Sequence, residues 1–216
     1  MAKINDTTIF PVTDPAVGDL VIGTDISDTG NSADGETVNF SIGDIINLTP
    51  IGTELIEVIT PTTVSEIDIA LPSTSSFGSV TIELQNIGQT SSTNRILQLQ
   101  TSSDGGSTFA SGSSSYNANG TNTSAIAITD ATQNNDNKGA SGEIKIYGYD
   151  ISTSWTVIHS NLSFEDGTTS GDIAFKTVQA WRKNSEITTH IRLSFSAGSN
   201  FRSGQGRIIV RGHRRV

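Results

Sequence analysis

The chain reads as an all-β protein, an antiparallel β-sandwich or jelly roll preceded by a small extended β-rich N-terminal arm. Three observations predict this. Apolar residues recur at every second position in short runs, as where Val80, Ile82 and Leu84 alternate with Thr81, Glu83 and Gln85, the pattern of a strand buried on one face and solvated on the other. No window of useful length carries the helical period. The runs are separated by clusters of Ser, Thr, Asn and Gly, and many short strands spaced in this way favour two packed sheets over one open sheet.

Length and composition set the bounds. A chain of 216 residues can bury the core of one large β domain and still carry an appendage. Cysteine is absent, which excludes a disulfide framework, a thiol nucleophile and Cys-ligated zinc. The opening Met-Ala-Lys-Ile-Asn-Asp has no apolar run behind Lys3, and no later window approaches about 18 uninterrupted apolar residues. Synthesis in a cytoplasm, with no secretory signal and no membrane partner, is therefore expected.

All five prolines, Pro11, Pro15, Pro50, Pro61 and Pro72, fall in the first third of the chain. Proline removes a ladder donor and suits edges and turns, so residues 1–60 read as a turn-rich arm and 61–216 as the sandwich. The arm's strands are expected at 8–12, 19–23 and 37–42, with 43–48 as a helical turn or a further strand. The sandwich strands are expected at 54–59, just ahead of that boundary, and at 63–71, 78–87, 95–101, 124–129, 142–149, 153–160, 172–181, 187–197 and 206–212. The last two read as a closing hairpin: Ile191, Leu193 and Phe195 alternate with Arg192 and Ser194, Ile208 and Val210 with Arg207, Ile209 and Arg211, and a glycine-rich turn joins them. Asp104-Gly105-Gly106, flanked by strand residues, is a hairpin signal as well.

Two long loops, 111–123 and 130–139, are placed at the rim, where sandwiches commonly carry recognition. Tyr116, the one aromatic residue in them, together with Asn117, Asn119, Asn134 and Asn135, forms a candidate glycan or partner contact. Trp155, Trp181, Tyr147 and Tyr149 are read as core or subunit-contact residues.

Charge is asymmetric. The net charge is −9, yet residues 1–72 hold twelve acids against Lys3 alone, while residues 176–216 hold nine bases against Glu186 alone. Such a division predicts separate surfaces, or an acidic arm lying on the basic end of a neighbour. Arg207, Arg211, Arg214 and Arg215 form the candidate basic assembly surface. Nucleic acid is not expected as a partner, because these arginines alternate with strand residues and the whole chain is acidic.

Nothing in the sequence assigns a catalytic residue, a metal or a cofactor. His159, His190 and His213 lack metal-pair spacing, no serine lies in a G-x-S-x-G elbow, and the adjacent Glu165 and Asp166 point to opposite faces of a strand. Asp25, Asp28, Asn31, Asp34 and Glu36 miss the calcium-loop spacing.

Several stretches carry a resemblance to a known family. They are the arm from Phe10 through Gly18-Asp19 and Gly23-Thr24-Asp25 to Asn39-Phe40 and Asp44, the Ser-Ser-Asp-Gly-Gly-Ser-Thr-Phe run at 102–109, and residues 191–200 with Ser203 and Gly204. Together they resemble structural proteins of tailed-bacteriophage virions, of the fibre, head-fibre or capsid-decoration type. The resemblance implies an attachment arm, with Asp14, Asp19, Asp25, Asn39 and Phe40 in its motifs, and a distal β-sandwich that is commonly trimeric. It also implies a non-enzymatic subunit on the exterior of a capsid or tail, whose partners are its own copies and other virion proteins. The chain departs from the family at its end, where Val210-Arg211-Gly212 and then His213, Arg214 and Arg215 stand in place of an apolar strand. The alternative is a receptor-binding or carbohydrate-binding module that recognises host surface glycans through its rim loops.

Overall fold

The computed structural model describes residues 20–25, 36–41, 52–72, 77–132, 139–166 and 172–214. The strands expected at 8–12 and within 43–48 lie outside the described residues. The chain divides into two compact units, Met1–Ile51 and Gly52–Val216. In the first, β1 (Leu20–Asp25) pairs antiparallel with β2 (Glu36–Ser41), in a register running from Leu20 opposite Ser41 to Asp25 opposite Glu36.

The second unit is the sandwich. Its strands are β3 (Thr53–Ile59), β4 (Glu66–Ala70), β5 (Phe77–Ile87), β6 (Arg95–Ser102), β7 (Tyr116–Ala118), β8 (Thr121–Thr123), β9 (Ile126–Thr132), β10 (Ala140–Tyr147), β11 (Val157–Glu165), β12 (Ile173–Arg182), β13 (His190–Phe195) and β14 (Arg207–Arg214). One sheet has the order β3-β14-β5-β10-β11-β12-β7-β8, the other β4-β13-β6-β9, and the registered pairs are antiparallel. Number β3, β4, β5, β6, β9, β10, β13 and β14 from first to eighth. The sheets then run first-eighth-third-sixth and second-seventh-fourth-fifth, which is the double Greek key of a jelly roll. β11, β12 and the β7–β8 hairpin widen the larger sheet beyond β10.

The core lies between the sheets and follows from the alternation. Val80, Ile82 and Leu84 of β5, Ile144 and Ile146 of β10 and Ile208 and Val210 of β14 meet Ile69 of β4, Leu97 and Leu99 of β6 and Ile191 and Leu193 of β13, all essentially fully buried. Each such side chain contributes about 1.5–3 kcal/mol by leaving water.

Three expectations are corrected. The boundary falls after Ile51 rather than after residue 60, because β3 pairs along β14 and belongs to the sandwich. The closing stretch is not a hairpin: β13 pairs with β4 and β6, β14 pairs with β3 and β5, and the glycine-rich segment between them crosses from one sheet to the other. That crossing begins with a 3₁₀ turn, Ser196–Gly198, and passes Gly206, whose φ of 75° and close approach to the Gln85 and Asn86 carbonyls suit only a residue without Cβ.

Nor does Asp104-Gly105-Gly106 join paired strands, since β6 lies in the small sheet and the following strand, β7, in the large one. The turn is held by Asp104 itself. Its Oδ1 accepts from the Thr108 amide at 2.9 Å and from Ser102 Oγ at 2.7 Å, while Oδ2 accepts from Thr108 Oγ1 at 2.6 Å. Gly105 and Gly106, at φ 74° and 84°, provide the left-handed backbone that brings these donors round.

Candidate functional site

The outer face of the large sheet gathers the exposed aromatic rings of the sandwich. Strand alternation decides which side chains stand there. Ile144 and Ile146 of β10 face the core, so Glu143, Lys145 and Tyr147 face out; Ile158 and Leu162 of β11 are buried, so Val157, His159 and Asn161 face out. Val178 and Ala180 of β12 likewise turn Thr177, Gln179 and Trp181 outward. The register then sets rows across the strands. Tyr147, Val157, Trp181 and Asn117 form one row, Lys145, His159 and Gln179 the next, and Glu143, Asn161 and Thr177 a third.

Rings close on one another within these rows. Trp155, from the segment between β10 and β11, stacks on Trp181 with centroids 6.4 Å apart and planes 17° from parallel, and it keeps 45% of its surface exposed. The Tyr147 ring meets His159 edge-on at 5.7 Å. Beside them runs a shallow groove of about 180 Å³ lined by Glu143, Lys145, His159, Asn161, Thr177 and Gln179. Lys145 Nζ lies 3.1 Å from Glu143 Oε2, and that bond raises the Lys145 pKa. The arrangement offers flat π surfaces beside amides, a hydroxyl and one internally compensated ion pair. Among the described residues no three His, Cys, Asp or Glu side chains group to hold a metal.

The loop residues expected to contact glycans behave otherwise. Tyr116 is wholly buried: its hydroxyl accepts from the Thr101 amide at 2.7 Å and donates to the Ala110 carbonyl at 3.1 Å, and burial raises its pKa. It is a core residue, so its assignment as a glycan contact is corrected. Asn119, at φ 49°, turns the β7–β8 hairpin; its Oδ1 accepts from the Gln179 amide at 3.0 Å and its own amide donates to the Gln179 carbonyl at 2.9 Å. Asn117 Oδ1 accepts from the Gly120 amide at 3.1 Å in the same turn. Asn134 and Asn135 lie outside the described residues.

Of the residues read as core or subunit contacts, Tyr149 is buried, but Trp155, Trp181 and Tyr147 stand on the outer face. The phase of the alternation in 142–149 and 172–181 was the signal that could have placed Tyr147 and Trp181 there.

The basic end is partly neutralised inside one chain. Arg214 pairs with Glu54 at 2.8 Å and stands over the Phe77 ring, and Arg211 is 3.9 Å from Glu83. Arg192 chelates Asp68 at 2.7 and 2.8 Å, reaches Glu66 at 2.8 Å and covers Phe109 at 3.9 Å. Arg207 is exposed at the start of β14. Arg215 lies outside the described residues, as do Asp14 and Asp19; Asp25 pairs with Glu36, Asn39 with Ile22 and Phe40 with Val21.

No protein-family model, curated protein or solved structure matches the chain.

Proposed function

We propose that this protein is a non-enzymatic structural subunit of a tailed-phage particle, of the fibre, head-fibre or capsid-decoration type. Residues 1–51 attach it, and the jelly roll is displayed on the outside of the particle as a homotrimer. The observation that carries this reading is the division of the chain into a large jelly roll and a separate N-terminal unit whose described structure is a two-stranded hairpin. A two-stranded hairpin is marginally stable in water until further strands or surfaces cover it, and in this reading another chain or the particle surface contributes to that cover. Jelly rolls serve in capsid and lectin domains, and because fold by itself does not fix function, the phage assignment rests on the arm and loop motifs of the sequence.

The test is assembly. A chain lacking residues 1–51 is expected to remain a soluble β protein and to be left out of particles, whereas the full chain is incorporated and light scattering gives it three times the chain mass. Normal incorporation of the truncated chain, or a stable monomer at micromolar concentration, overturns the reading.

A further inference from the structure

We infer that the outer face of the large sheet is a binding site for a neutral polysaccharide, with the Trp155 indole as the stacking platform and the groove beside it holding the sugar hydroxyls. The indole is the first argument. Trp155 leaves nearly half its surface in water, although its partner Trp181 could be covered by a smaller apolar side chain. A flat, electron-rich ring face held rigid by a second ring is what the C–H face of a pyranose packs against. Tyr147 stands two strands from Trp181 in the same row, about 10 Å away at about 4.8 Å per strand. A sugar chain laid across the strands would therefore meet a ring at each end of the row.

The neighbours supply the directional part. Hydroxyl groups need donors and acceptors at once, and Gln179, Asn161 and Thr177 present both within the groove. Its one acid and its one lysine are bonded to each other at 3.1 Å, so the groove offers no net charge to attract an acidic or a basic sugar.

A second copy of the chain fits this face less well. Subunit interfaces exclude charge from their centres, but here the Glu143–Lys145 ion pair and the amides of Gln179 and Asn161 fill the rows beside the rings. The exposed apolar side chains that would suit such a contact stand away from the rings on the same face, Phe175 (76% exposed) and Ile173 at the other end of β12 beyond Thr177, and Leu55 and Val58 on β3 at the far edge of the sheet. Sugar binding at this face needs neither the arm nor a particle, so its failure and a failure of assembly are separate results.

Trp155 and Trp181 are the chain's only two tryptophans, so intrinsic fluorescence of the full-length protein reports this face alone. Dextran, mannan and galactan serve as neutral probes and alginate as an acidic comparator, in a fluorescence titration and in affinity gel electrophoresis. At least one neutral polysaccharide is expected to shift the emission saturably and retard the protein. Trp155→Ala should weaken that binding by at least about tenfold (about 1.4 kcal/mol) with the circular dichroism unchanged. Trp155→Phe should keep most of it, and Gln179→Ala should lower it severalfold with the stack intact. Failure of all three neutral polymers, retardation by alginate alone, or undiminished binding by Trp155→Ala overturns the proposal. So does a fall in oligomer mass in Trp155→Ala without sugar binding by the parent, which would make the face a contact between copies.

Discussion

Asp104 shows how one side chain fixes a turn. Three hydrogen bonds to its carboxylate, the largest effect coming from the Thr108 hydroxyl, hold its pKa well below the usual carboxylate range. A group with a depressed folded pKa contributes stability above its unfolded value, about 3.9, and that contribution fades as pH falls through the folded value. Melting temperature measured from pH 5 down to pH 2 is therefore expected to fall more steeply for the parent than for Asp104→Asn, which has no carboxylate to protonate. Equal slopes would remove Asp104 from the account. Gly206 makes the second case. A Cβ there would meet the Gln85 and Asn86 carbonyls at a φ of 75°, so Gly206→Ala should destabilise by at least about 1–3 kcal/mol from backbone strain, as urea unfolding can measure. Tyr116 shows what sequence could not disclose. A single ring among Ser, Asn and Gly looks exposed, but its burial depends on Thr101 and Ala110 closing over the hydroxyl, and that approach is not written in the local pattern.

At the scale of elements, the alternating runs were legible because a strand buried on one face must repeat every second residue. The expectation at 78–87 matches β5 to within one residue, and those at 95–101 and 172–181 match β6 and β12 equally well. The β7–β8 hairpin was not legible, being three residues a side with one buried ring. Sheet membership was not legible either: β13 and β14 follow each other in sequence and look like a pair, yet the double Greek key sends them to different sheets. The placement of β3 leads to a sharp contrast between truncations. Removal of residues 1–51 spares the sandwich, while removal of 1–60 also takes β3 with Ile56 and Ile59, which pack on the core, and bares the edge of β14. The loss of two partly buried side chains comes to about 2 kcal/mol, or about 4–8 °C in melting temperature for a chain of this size. Calorimetry on the two truncated chains would show the difference, and equal melting temperatures would return β3 to the arm.

For the whole molecule, charge asymmetry is resolved in part within each chain. Arg192 and Arg214 are occupied by Asp68, Glu66 and Glu54, so they belong to the sandwich's own stability, at about 0–1 kcal/mol for each exposed pair. Exposed Arg207 and the loosely paired Arg211 remain for an acidic neighbour. Substituting both with Gln is expected to weaken self-association and reduce its salt dependence without moving the melting temperature. Arg192→Gln should instead lower the melting temperature by about 1–4 °C and leave association unchanged. Light scattering at 0.1 M and 1 M salt beside thermal scans would separate the two; the same association and salt response in the double variant would make the basic end a solvated strand face.

The insertion of β14 between β3 and β5 also orders events during synthesis. Thr53 and His213 are 160 residues apart in sequence and sit within 3.2 Å. A nascent chain displays β3 and β5 long before the strand that must lie between them leaves the ribosome. Until then the large sheet has a gap one strand wide, with unpaired amides on both sides and Ile82 and Leu84 without the Ile208 and Val210 that flank them. Pairing over such a span is slow, and the waiting edges invite strands from other chains. The jelly roll thus closes only once β14 has emerged, so correct assembly becomes a race between closing one's own sheet and borrowing a neighbour's strand.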